Sequence, residues 1–416
     1  MREFEVNSQR LERTIEELAS IGKQTVGVTR LPLSAEDLEA RRYVMRLMTE
    51  AGLEITVDPV GNIFGKRTRA LHPSRPSVMS GSHICTGTCY GKYDGAIGVL
   101  GALEAVRLLN ERDITTVCPI EVAVFTAEEP QRFKAFMPGS QCVAGKLSLE
   151  DLHRYRDDDG VTFWDALVSA GYHPEKLALA QRTRETIRAY VEMHIEQGRV
   201  LEDLGKRIGI VTAVAAPTRF MLTITGRADH SGATPMGLRK DALCAAAEII
   251  LALEGYGQAE ASHASVATVG YIKAEPGSVV VIPGKVTMSV DIRGVDATSK
   301  RRIADNAKKE IEEVSGKRQV KVETQMIYDA DPVPLSDRII ATIKETADEL
   351  GIEALMMPSS AGHDAQQIAT FTDAGMIFLP SVEGISHNPQ EYTRLEDIVL
   401  GTKLLTHVLL KLGGEA

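Results

Sequence analysis

The chain has 416 residues, 44% of them hydrophobic, with 57 acidic against 47 basic side chains and a net charge of −10. At about 150 residues per domain this length holds roughly two or three domains, and the composition excludes a fibrous repeat or a disordered tract. An acidic chain gains no general attraction to nucleic acid, and no run approaches the roughly 18 apolar residues of a membrane helix.

The N-terminal stretch MREFEVNSQRLERTIEELAS lacks the apolar core of a signal peptide. Leu11, Ile15, Leu18 and Ile21 instead predict a helix over 8–21. Pro32 resets the chain before a second helix carrying Leu38, Val44, Met45, Met48 and Ala51. LEITVDP and GNIFGKR read as short strands about a turn at Pro59 and Gly61, and PSVMSGSH as a strand entering a polar loop. A helix is predicted over 96–110, then a buried strand over 120–125 leading to Glu128-Glu129. Strand, helix and strand in that order predict an α/β layer with parallel strands, whose C-terminal ends carry the ligand groups. The charged run RYRDDDG at 154–160 reads as a solvated loop.

A second unit is predicted within 213–328: a strand over 218–225, a helix over 237–254, strands over 265–273 and 285–293, a helix over 299–315 and a strand over 319–325. That β-α-β-β-α-β order is the ferredoxin-like pattern. A helix over 336–350, the strand MIFLP and a helix over 395–411 return to α/β character. The expected fold is therefore a larger α/β domain made of 1–212 and 329–416, with a small α+β domain, 213–328, inserted. Five cysteines are too few to staple such a chain, and their odd number suits a reducing compartment, so the cytoplasm is the expected location.

Several ionisable residues end apolar segments beside glycine or other polar groups. They are His83 in SGSH, Asp94 in YDG, Glu128-Glu129, His194 in EMHIEQG and His387 in GISHNP. Burying such groups costs several kcal/mol unless they are paired or metal-bound. Imidazoles with carboxylates suit Zn²⁺ or Mn²⁺. Hydrogen-bonded histidines and a solvated loop start are the ordinary alternatives, and spacing alone does not choose between them. In a two-metal site Asp94, between Gly91 and Gly95, is the better bridge. Glu128 and Glu129 on extended backbone would point to opposite faces, one as ligand and one as general base.

His230 could stabilise an oxyanion and Arg293 take a carboxylate, with a surface salt bridge the ordinary alternative for the latter. Gln197 could read an amide or urea. SSAGHDAQ at 359–366, with Ser359 and Gly362, offers hydroxyl and backbone donors.

GSH…YDG, TAEE, HIEQG, the run from Gly226 to Met236, IPG…DIR, AGHDAQ and GISHNP resemble the amidohydrolase branch of the M20 peptidase superfamily. That branch includes N-carbamoyl-L-amino-acid hydrolases, allantoate and ureidoglycolate amidohydrolases and β-ureidopropionases. The resemblance implies two divalent ions held by His83, Asp94, Glu129, His194 and His387, with Asp94 bridging and Glu128 the base. Zn²⁺ or Mn²⁺ is expected, with Ni²⁺ and Co²⁺ also compatible. It further implies a homodimer through the small lid domain, His230 acting in the partner's site, Arg293 as anchor for a substrate carboxylate and Gln197 as a nearby contact. The expected reaction is hydrolysis of an N-carbamoyl amino acid. The alternatives are ureide hydrolysis of the allantoate or ureidoglycolate type, deacylation of an N-acyl amino acid, and a binding protein without catalysis.

The chain departs from this pattern at several positions. Cys85 stands where the family has an Asp that buttresses the first imidazole. TGTCYGKYDG lacks the paired glycines before the bridging Asp, and Pro130-Gln131 stands where Gly-Ser is common. Val280 replaces an Asn substrate contact, turning a hydrogen-bonding position into an apolar wall and altering the expected substrate.

Overall fold

Asn7 opens the first helix, Ser8–Ser20, by accepting from the Arg10 amide, and Leu11, Ile15 and Leu18 bury its inner face. The computed structural model describes residues 4–415. The chain forms two compact units. One takes the chain up to Thr212, Leu335–Met357 and the chain from His363 on; the other takes Ala213–Pro334 and Pro358–Gly362. Among the described residues no helix is long and apolar enough to cross a membrane.

The sheet of the larger unit runs in the order Glu54–Val57, Ile63–Arg67, Ile120–Phe125, Ser77–His83, Ile187–Ile195, Ala374–Leu379 and Ile208–Val214. Its central strands, 120–125, 77–83, 187–195 and 374–379, are parallel, so their C-terminal ends open on one edge. Helices Ala96–Glu111 and Leu395–Gly413 pack on one another and on this sheet, burying Val99, Leu103, Val106, Leu405 and Val408.

A buried ion pair ties the second helix, Ala35–Glu50, to the loop after strand Ile120–Phe125. Arg41 donates to Asp37 Oδ2 at 2.8 Å, to Gly61 O at 2.6 Å and to Thr126 Oγ1 at 3.1 Å. Asn62 Oδ1 accepts from the Thr126 amide at 2.8 Å, holding the same turn from the other side. Arg41→Met would strand Asp37 in the interior, so the variant should lose about 3–5 kcal/mol in chemical denaturation. Adding Asp37→Leu should recover much of that loss.

In the smaller unit Ile272–Glu275, Lys285–Gly294, Ala216–Thr225 and Lys321–Asp329 form an antiparallel sheet in that order, with Val266–Thr268 also pairing on Lys285–Gly294. Alternation puts Phe220, Leu222, Ile224, Met288, Val290 and Ile292 in one core with the helices Ala242–Ala259 and Ala297–Arg318. The strand expected over 265–273 is two strands, interrupted around Gly270. The helix expected from residue 237 starts at Ala242, because Asp241 caps it by accepting from the Leu243 and Cys244 amides.

Candidate metal centre

His83 ends its strand and His194 is the penultimate residue of its own, so the parallel sheet carries both imidazoles to the same edge. Asp94 lies in the turn before helix Ala96–Glu111. Gly95 takes φ 64° there, and a Cβ on it would stand 2.4 Å from the His83 ring, so only glycine lets the turn close. Asp94 Oδ1 is 3.3 Å from Nε2 of both His83 and His194, and Oδ2 is 3.4 Å from His387 Nε2. Glu128 Oε2 lies 3.6 Å from His83 Nε2, and Glu129 Oε1 lies 3.6 Å from His387 Nε2. Three groups of ligand atoms result, His83–Asp94–His194, Asp94–Glu129–His387 and His83–Glu128–Glu129, each within 4.8 Å.

This donor set fits a pair of cations. His83 Nδ1 donates to Cys85 O at 3.0 Å and His194 Nδ1 to Ile195 O at 2.9 Å, which turns each Nε2 toward the carboxylates. Burial pushes the Glu128 carboxyl well up, and burial with Asp94 brings Glu129 to about 7. Burial works against a charge on Asp94 too, yet His194, His387 and His83 hold it well below the usual carboxylate range. Burial likewise opposes a charge on His83, but Glu128 and Asp94 raise it well above the usual value. Imidazoles and carboxylates thus offset one another at this edge, a task that bound cations could take over.

One expectation needs correction. Glu128 and Glu129 do not alternate as on a strand. The strand ends at Phe125, Ala127 turns into the left-handed region at φ 56°, and both carboxylates face His83. Cys85 meets His83 twice: its backbone carbonyl accepts from Nδ1 at 3.0 Å, and its Sγ lies 3.8 Å from the same nitrogen.

The sequence reading missed residues behind this layer. Glu391 Oε1 accepts from the Tyr93 and Asp94 amides at 3.0 and 3.1 Å, and Ser386 Oγ donates to both Glu391 Oε2 and Asp94 Oδ2. Glu192, two residues before His194 and so on the same strand face, accepts from Ser82 Oγ and the Ala365 amide. That alternation was a readable signal. His363 packs edge-on against His194 at 4.5 Å and caps the short helix Asp364–Ile368, while Asp364 accepts from Ser140 Oγ. Glu192, His194 and His363 also lie within 4.8 Å of one another, but with both Glu192 oxygens committed the group serves as a buttress.

Gln197 belongs to the centre. Its Nε2 donates to Asp94 Oδ2 at 2.7 Å, and its Oε1 is buried with no hydrogen-bond partner. His230, Val280, Arg293, Ser359 and Gly362 belong to the smaller unit. His230 lies on the two-residue strand Asp229–His230, paired with Val281–Ile282, and its Nδ1 accepts from the Gly232 and Ala233 amides at 3.1 Å. Val280 is exposed. Arg293 forks onto Asp291, with Nη2 at 3.0 Å, and its Nη1 reaches Ser360 O at 3.4 Å. Ser359 is buried, donating to Ala361 O, and Gly362 is exposed.

Comparison with known proteins agrees over almost the whole chain. An N-carbamoyl-L-amino-acid amidohydrolase of Pseudomonas sp. (strain NS671) is 39% identical, covering 99% of this chain and 100% of its own. An allantoate amidohydrolase of Escherichia coli (strain K12) is 34% identical over 97% of this chain and 98% of its own. The crystal structure of an amidase of the hydantoinase/carbamoylase family from Burkholderia multivorans superposes with a TM-score of 0.91 at 34% identity, covering 99% and 98% of the two chains. The profile of peptidase family M20/M25/M40 matches residues 81–411, and the chain belongs to that family, among its amidohydrolases.

Proposed function

We propose that this amidohydrolase cleaves N-carbamoyl amino acids with two divalent cations per chain, Zn²⁺ or Mn²⁺, held by His83, Asp94, Glu129, His194 and His387. The observation that carries this reading is the division of Asp94, whose Oδ1 faces His83 and His194 and whose Oδ2 faces His387. When bound, such a pair supplies Lewis acidity, activating water at neutral pH and polarising a carbonyl.

Glu128, whose Oε2 lies 3.6 Å from His83 Nε2 at the centre, takes the proton of the attacking water and passes it to the leaving nitrogen. His230 Nδ1 is occupied by two backbone N–H donors, so the ring proton sits on Nε2, where it can meet a developing oxyanion. The unpartnered Gln197 Oε1 awaits a donor, which a carbamoyl NH₂ provides. Arg293, oriented by Asp291, takes the substrate carboxylate, while Val280 gives an apolar wall and Ser359 and Gly362 polar contacts. The carbamoyl carbon leaves as carbon dioxide and its nitrogen as ammonia, with one water consumed.

We also assign a homodimer through the smaller unit. Met236, Leu238, Val279 and Val280 are exposed around the His230 strand, an apolar surface that a second copy would cover. The name of the Escherichia coli relative supports ureide hydrolysis as the second reading.

Chelator-treated protein should lose turnover and regain it on reloading with Zn²⁺ or Mn²⁺. A panel of N-carbamoyl amino acids, allantoate and N-acyl amino acids then decides the substrate. Equimolar ammonia and amino acid from the carbamoyl set is the expected result. Amine without ammonia from acyl substrates would make the protein a deacylase, and binding without turnover across the panel would refute catalysis.

A further inference from the structure

Two departures of this sequence from the family pattern, far apart in the chain, touch one another. Gln131, where Gly-Ser is common after the two glutamates, accepts at Oε1 from the Thr88 amide at 2.7 Å and donates from Nε2 to Tyr90 Oη at 2.5 Å. Thr88 and Tyr90 lie in TGTCYGKYDG, which lacks the paired glycines. The fit is close, since a Cβ on Gly87 would stand 2.4 Å from both Gln131 Cδ and Tyr90 Cζ. Paired amide–carbonyl bonds with Val28 at 2.9 Å fix the Tyr90 backbone.

The buried Tyr90 ring stacks on His387, with centroids 4.3 Å apart and planes 18° from parallel. His387 needs such support more than the other imidazoles do. His83 and His194 are buried at strand ends with Nδ1 bonded to carbonyls, whereas His387 sits on a loop at φ 54° and is 46% exposed. A flat aromatic contact limits the ring's rotation and keeps Nε2 facing Asp94 and Glu129.

We propose that Tyr90, held by Gln131, is a positioning residue for His387, and that this pair sets the affinity of the centre for the cation nearest Glu129. The inference rests on the two-cation reading above.

Calorimetric titration of metal-free protein with Mn²⁺, together with thermal unfolding of the metal-free state, tests it. Tyr90→Leu should weaken the second ion about 10- to 100-fold, leaving the first ion and the unfolding temperature near wild type. Tyr90→Phe keeps the stacked ring but loses its bond from Gln131, and Gln131→Ala removes the same bond, so each should weaken the second ion in the same direction by less. If Tyr90→Leu does not fold, Tyr90→Phe and Gln131→Ala decide: weakening of the second ion alone in both is expected, and wild-type binding in both would overturn the proposal. Unchanged second-ion affinity in Tyr90→Leu, equal weakening of both ions, or a Tyr90→Phe as weak as Tyr90→Leu would overturn the proposal. A wild type that binds fewer than two ions would instead overturn the reading beneath it.

Discussion

Glu128→Gln is expected to keep its cations and lose about 10²- to 10⁴-fold in kcat. The substitution preserves size and burial while removing the one carboxylate assigned to proton transfer. Glu128 approaches His83 at 3.6 Å and forms a ligand-spaced group with His83 and Glu129, but lies outside the two groups that share Asp94. Metal content measured beside the rate therefore separates loss of the base from loss of the centre. Wild-type turnover in Glu128→Gln at metal saturation would remove Glu128 from the mechanism. A large loss of metal would make it a ligand.

Asp94→Ala should reduce activity to background and abolish stoichiometric metal binding. Asp94 faces all three imidazoles of the centre, and its Oδ2 also accepts from Gln197 and Ser386. Removing it takes a charge from both proposed sites at once, so the two ions should be lost together. Asp94→Asn keeps the shape without the charge and should still fail to hold both ions. If either variant retains one ion at wild-type affinity, Asp94 is not shared.

The larger unit was legible wherever a strand end announced itself. IEVAVF is buried at every position, and SGSH and EMHIEQG pass from apolar strand to polar edge, so parallel pairing alone brings His83 and His194 together. Local strand reasoning failed at Glu128-Glu129, because the left-handed Ala127 depends on the Thr126 turn, held by Arg41 and Asn62 from elsewhere in the chain. The Cys85 side chain was legible, and its Sγ does lie 3.8 Å from His83 Nδ1, but the carbonyl that also accepts from this nitrogen is a backbone group that any residue would bring and no sequence displays. Glu391 and Asp364 escaped notice for a similar reason. Their partners are amides and hydroxyls 224 to 298 positions away, or, like Ser386, ordinary loop residues. In the smaller unit, strand alternation was readable, while the helix start depended on which acidic side chain, here Asp241, turned back to cap it.

Anomalous diffraction from crystals loaded with Zn²⁺ or Mn²⁺ tests the central claim most directly. Two peaks flanking the Asp94 carboxylate, one beside His83 and His194 and the other beside Glu129 and His387, are expected. A single peak not shared by Asp94, or no peak among these residues in a protein that still turns over its substrate, would contradict the account.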